Sequence, residues 1–127
     1  MRILLAAAGL LLLVVPTRPA AAQAPVRSVA IVVAGPNRWA YQPSPIQIRV
    51  GETVEWTNRD PDDAHNVSIA ALDYDGRFLA LNESDQVTFQ RPGVYAYACL
   101  PHPSMTGVVI VASEVFVPVV AKGGPVG

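Results

Sequence analysis

Beyond Gln23 the chain never sustains a helical period, and this limits its fold more than any other feature. Short runs rich in β-branched and aromatic residues follow one another instead. They are VAIVVAG (Val29–Gly35), IQIRV (Ile46–Val50), TVEWT (Thr53–Thr57), NVSIA (Asn66–Ala70), DQVTFQ (Asp85–Gln90), VYAYA (Val94–Ala98) and GVVIVA (Gly107–Ala112). Turn residues separate them at Gly51-Glu52, at Asn58-Arg59-Asp60-Pro61, from Asp73 to Gly76, and at Pro92-Gly93. Ile46, Ile48 and Val50 alternate with Gln47 and Arg49, and Val87 and Phe89 alternate with Thr88 and Gln90, so these runs each have one face to bury. Several short strands with frequent turns point to an all-β fold, a Greek-key β-sandwich. At 127 residues the chain holds one domain, with no internal repeat and no low-complexity linker.

The opening residues are of another kind. Arg2 precedes an uninterrupted apolar run from Ile3 to Val15, and Ala20-Ala21-Ala22 stands before Gln23. That order matches the charged, apolar and small-residue regions of a secretory signal peptide over residues 1–22. The apolar run is shorter than the roughly 20 residues that span a bilayer, so cleavage is expected rather than anchoring. The expected domain is then 23–121, and the tail Lys122–Gly127 is expected to be disordered. The leader takes two of the nine basic residues with it and none of the ten acidic ones, leaving a net charge of −3. A mildly acidic domain without a basic stripe is a poor nucleic-acid binder.

Exported small domains often rely on disulfides, but Cys99 is the only cysteine. It is an inert buried thiol, half of an intermolecular bridge, or a ligand. Its surroundings favour the third. In YAYACLPHPSMTGVVIV, Cys99 directly follows a strand, and His102 and Met105 lie in a loop stiffened by Pro101 and Pro103. The only other histidine, His65, follows the turn DPDDA and directly precedes another strand. Taken singly, a cysteine or methionine is usually a core filler and a histidine usually structural. Taken together, every Cys, His and Met beyond the leader is accounted for by one four-donor set, Cys99, His102, Met105 and His65. One thiolate and two imidazoles in a plane with a weak axial thioether make an electron-transfer copper site. Zinc fits less well, because thioether is a poor zinc ligand.

The loop from Tyr95 to Gly107, together with VGETVEWTNRD…HNVSI upstream and DQVTFQRPGVYAY, resembles the plastocyanin/azurin family of cupredoxins over roughly Pro45 to Val111. The C-x2-H-x2-M spacing is most similar to that of amicyanins. The resemblance implies one type 1 copper ion per chain, ligated by His65, Cys99, His102 and Met105, in a periplasmic electron carrier. It also implies that Asn66 braces the copper loop, with its N–H approaching the Cys99 sulfur. Pro101 has no N–H, so no second such bond can come from that position. Leu100, Pro101, Pro103 and Met105 form an apolar surround for His102, whose ring edge is the natural electron port.

Two segments depart from the resemblance. The segment Glu114–Gly127 extends past the expected last strand as an added edge strand, a docking segment or disorder. The run Asp60-Pro61-Asp62-Asp63 is either a solvated turn or a docking site for a basic redox partner. Multicopper oxidases and copper nitrite reductases need a second site with further histidines, and binuclear copper needs a second cysteine. Neither is present, so an enzyme is not expected. The remaining alternatives are a periplasmic copper carrier or chaperone and a metal-free interaction domain. The expected carrier is monomeric, and its redox partner proteins are not identified by the sequence.

Overall fold

The computed structural model describes residues 12–113, so Glu114–Gly127, including the expected tail, and the first half of the expected leader lie outside the described residues. Residues 12–25 have no regular secondary structure, and Leu12, Leu13, Val14 and Val15 are all exposed. Nine strands follow: β1 Val26–Gly35, β2 Arg38–Gln42, β3 Ile46–Arg49, β4 Thr53–Asn58, β5 Ser68–Ile69, β6 Tyr74–Asp75, β7 Ser84–Thr88, β8 Gly93–Ala98 and β9 Thr106–Ala112. A single 3-10 turn, Ala70–Leu72, joins β5 to β6.

The strands form the two sheets of a sandwich, one ordered β2-β1-β4-β7 and the other β3-β9-β8-β5-β6. The all-β sandwich expected from the strand pattern is the fold observed. Period-2 alternation explains how the sheets close. In β4, Val54, Trp56 and Asn58 point inward, and in β9 Gly107, Val109 and Val111 do. Parallel pairing of β1 with β4 and of β3 with β9 carries the chain between non-consecutive strands, and the other named pairs are antiparallel. The core between the sheets holds Ile31, Val54, Trp56, Val67, Ile69, Leu79, Phe89 and Val109, all essentially without exposure. Burying an aliphatic side chain of this kind contributes about 1.5–3 kcal/mol.

Three local differences from the strand pattern have simple causes. β2 was absent from the expected strands because Arg38 and Gln42 dilute its short apolar stretch, although Gly35-Pro36-Asn37 before it is a turn signal. Asn37 takes up a left-handed φ of 52° there and closes the β1–β2 hairpin. β6 lies inside the stretch read as a turn, a two-residue edge strand held by pairing of Ser68 with Asp75 and Ile69 with Tyr74. β5 is shorter than Asn66–Ala70, because Asn66 is drawn out of the ladder to bond the loop described below, and Ala70 enters the 3-10 turn.

The ends of β8 and β9 carry the next step. Tyr97 pairs with Gly107 and Ala98 with Thr106, so the two strands are in register up to the loop Cys99–Met105. The Tyr97 ring lies across Gly107, where any Cβ would run into it. The same ring meets Tyr41 edge-on at 4.7 Å and Trp56 at 5.3 Å. Gly107→Ala is therefore expected to displace Tyr97 and cost about 1–3 kcal/mol, as overpacking does. Urea unfolding checks this, and an unchanged midpoint would show that the ring is free to move.

Candidate metal centre

The loop that closes β8 onto β9 is tied across its own backbone. Cys99 N–H donates to the Met105 carbonyl at 3.0 Å, His102 N–H to that of Cys99 at 3.2 Å, and Met105 N–H to that of His102 at 2.8 Å. Leu100 N–H donates to Asn66 Oδ1 at 2.8 Å, which fastens the loop to the residue after His65. Asn66 thus braces the loop as its position implied. His65 is fixed by a two-way backbone bridge to Leu79, with bonds of 3.3 and 2.7 Å.

These ties bring three donors together. Cys99 Sγ lies 3.7 Å from His65 Nδ1 and 3.7 Å from His102 Nδ1, and the two Nδ1 atoms are 3.1 Å apart. Among the described residues this is the one cluster of three or more His, Cys, Asp or Glu side chains with metal-ligand spacing. A metal bound at about 2.0–2.1 Å to nitrogen and 2.3 Å to sulfur needs donor atoms separated by roughly 3–4 Å. The triangle fits such an ion. Cys99 and His65 have no exposure, whereas His102 is half-buried. Met105 is buried at 2 % exposure on the core side of the same loop. It therefore belongs to the buried core rather than to the surface surround of His102, and the exposed apolar rim is Leu100, Pro101 and Pro103.

Asp60, read from the sequence as part of a solvated or docking turn, does something else. It is 1 % exposed, and its Oδ2 accepts from His65 Nε2 at 2.9 Å. That bond makes Nε2 the protonated nitrogen and leaves the Nδ1 lone pair free to bind metal. Burial alone would raise the Asp60 carboxyl, but hydrogen bonds from His65, the Asp62 and Asp63 backbone and the Trp39 indole outweigh it and hold the carboxyl below its ordinary range. Asn58, buried beside it, accepts from the Asp60 N–H at 2.8 Å and donates to the carbonyls of Asp63 and Leu79. Of the three carboxylates in the run, only those of Asp62 and Asp63 belong to exposed residues.

Around the sulfur the balance runs the other way. Burial pushes the Cys99 thiol up, while the N–H groups of Asn66 and His102 and the Tyr41 hydroxyl pull it down without cancelling that effect. Pro101 gives no N–H, and the second amide near the sulfur is that of His102. Without metal the group is thus a thiol at neutral pH, and metal binding must expel its proton. Tyr41 also donates to the Asn66 carbonyl at 2.6 Å, a role that no sequence motif marked. Its neighbour on the same strand, Trp39, packs on both histidines, with ring centroids 4.0 Å from His102 and 5.5 Å from His65. The turn Gly35-Pro36-Asn37 followed by the alternating pair Trp39 and Tyr41 was the available signal for both.

Residues 28–112 match the model of the copper binding proteins of the plastocyanin/azurin family. The chain belongs to that family. It is 34% identical to amicyanin-alpha of Methylorubrum extorquens over 93 residues, covering 70% of this chain and 76% of that one. It is 33% identical to amicyanin of Paracoccus denitrificans over 101 residues, covering 76% of each. A point mutant of amicyanin in its reduced Cu(I) form at pH 4 superposes with a TM-score of 0.61 at 30% identity, covering 68% of this chain and 82% of that one. Copper is accordingly the metal that the cupredoxin cluster of His65, Cys99 and His102 serves.

Asp60→Ala leaves the His65 Nε2–H without its buried partner, a loss of about 1–3 kcal/mol that urea unfolding of the metal-free protein measures. Copper affinity should fall about ten- to hundredfold in chelator competition, as it does when the partner of a metal-bound histidine is removed. Because the folded carboxyl lies below its unfolded value, Asp60 stabilises the fold above the unfolded value and this contribution is lost as pH falls through the folded one. The acid limb of the stability profile should therefore be flatter in Asp60→Ala. An unchanged acid limb would mean that the carboxyl carries no such linkage.

Proposed function

We propose that this chain is a periplasmic one-electron carrier holding one type 1 copper ion through His65, Cys99, His102 and Met105. The observation that carries the reading is the convergence of one thiol and two imidazole nitrogens within 4.8 Å of one another, two from the loop between β8 and β9 and one from the bridge residue His65 between β4 and β5. Copper supplies the couple between Cu(II) and Cu(I). The protein supplies a cage that need not rearrange between them. The Cys99 thiolate and the Met105 thioether suit Cu(I), and the imidazoles suit both oxidation states. Asp60 and Asn66 hold their respective donors at distances set before metal arrives.

Access to the site is one-sided. Cys99, His65 and Met105 are closed off, so His102 is the half-buried donor, rimmed by exposed Leu100, Pro101 and Pro103. A redox partner protein docks on that rim and exchanges an electron through the imidazole edge. The chain works as a monomer and not as an enzyme, since its sequence offers no cysteine or histidine beyond Cys99, His65 and His102 for a second copper site. Residues 1–22 are a signal peptide that directs the domain, residues 23–121, to the periplasm. Among the described residues no helix is long and apolar enough to cross a membrane.

The copper-loaded, oxidised protein should be intensely blue or green, and Cys99→Ser should abolish the colour even where copper still binds. The intact protein should also keep its copper through repeated reduction and reoxidation in the presence of a weak chelator. A colourless Cu(II) form would end the type 1 assignment. Rapid loss of Cu(I) with sluggish self-exchange would favour delivery of copper over transfer of electrons.

A further inference from the structure

The two histidines are held in different ways. The His65 ring is locked by the Asp60 carboxylate. Among the described residues, the only hydrogen-bond contacts of the His102 ring are those with the other two donors, which metal binding replaces. Backbone bonds to the Cys99 carbonyl and from the Met105 N–H fix where His102 leaves the main chain, but they do not fix the rotation of its ring. Among the described aromatic rings, one is stacked on that ring. The Trp39 indole is stacked on it with centroids 4.0 Å apart and planes 28° from parallel. Trp39 comes from β2, at the edge of the four-stranded sheet, whereas the His102 loop belongs to the five-stranded sheet. The indole N–H also lies near enough to the Asp60 carboxylate to help hold that carboxyl low.

We propose that Trp39 is the positioning residue of His102. Its indole face holds the imidazole in the orientation that copper requires and keeps it there in both oxidation states. A swing of the ring away from the metal would uncover the indole and lose the stack. An imidazole bound to copper shares the charge of the ion, and the face of an indole is its electron-rich side, so stack and metal bond reinforce each other. The reinforcement is greater for Cu(II), which draws more charge from the ring. Removing the indole should therefore favour Cu(I) and raise the reduction potential.

The proposal rests on the copper reading, and the test separates the two. Trp39→Leu keeps apolar bulk and removes the aromatic face, whereas Trp39→Phe keeps a face and removes the N–H. In the copper-loaded protein, Trp39→Leu should release Cu(I) to a chelator about two- to tenfold faster, the factor that an aromatic pair is worth. Its potential should rise and its visible band should shift, with Trp39→Phe close to the original protein in all three. In the metal-free protein, NMR should find the His102 ring protons displaced upfield by the indole. Trp39→Leu should abolish that displacement and leave the His65 lines nearly in place. Should Trp39→Leu not fold, Trp39→Met gives the same comparison. Unchanged release, band and potential in a folded variant without the indole would overturn the role of Trp39. A colourless original protein whose His102 lines still depend on Trp39 would sink the copper reading and leave the positioning role standing.

Discussion

Three donor atoms must be held at metal-binding distance before any metal comes between them, and the polar interior of this protein is arranged around that requirement. Lone pairs 3.1 to 3.7 Å apart gain little from each other and lose contact with water. Of the five buried polar or charged residues among those described, four are His65 itself and the residues that fix it and the loop: Asn58, Asp60 and Asn66. Only Glu52 lies elsewhere, where it accepts from the Arg49 N–H at 2.8 Å. Apart from these the buried side chains are hydrophobic ones, of which Tyr41, Trp56 and Tyr97 each carry a polar atom. Burying Asn58, Asp60 and Asn66 is tolerable because each finds partners. Asn58 uses its oxygen and its nitrogen, Asn66 does too, and both Asp60 oxygens accept.

The sandwich supplies the stiffness that those bonds need. The β8–β9 hairpin places Cys99 at its mouth, and the tight packing of Tyr97 over Gly107 fixes the last pairs of that ladder. Tyr41, from the opposite sheet, reaches the Asn66 carbonyl and packs edge-on against Tyr97. A shift of one sheet over the other would thus strain a hydrogen bond and an aromatic contact together. Interiors of this density respond to displacement in discrete steps rather than by gradual give. A carrier of electrons benefits from that property, since small geometric change on redox keeps the barrier to transfer low.

How much of this could be read from residue order depends on whether a feature is local. The metal loop is local: three donor types fall between Cys99 and Met105, and two prolines mark it as a stiff connection. The core strands are local too, because alternation shows along the whole of β3 and β4. Asp60 was misleading for the opposite reason. Its neighbours Pro61, Asp62 and Asp63 are solvated as a turn should be, and only the return of His65 against it makes this one carboxylate buried. β2 was lost because its two inward residues, Trp39 and Tyr41, gain their meaning from atoms on the other sheet. A period-2 signal two residues long is too weak to stand against Arg38 and Gln42 on either side.

The contrast between the two histidines follows from where each lies. His65 has no exposure, and there a carboxylate acceptor is effective, because the low local dielectric strengthens the bond and no water competes for it. The same device would serve His102 poorly. At a half-exposed ring a carboxylate would be hydrated and screened, and its negative charge would sit on the face at which docking is proposed. An aromatic face suits that position better. It restrains the ring by contact, needs no charge, and continues the apolar rim of Leu100, Pro101 and Pro103 without adding a group that must be desolvated on docking. The buried ligand is therefore held by electrostatics and the surface ligand by stacking, and Asp60, which reaches both His65 and Trp39, joins the two supports.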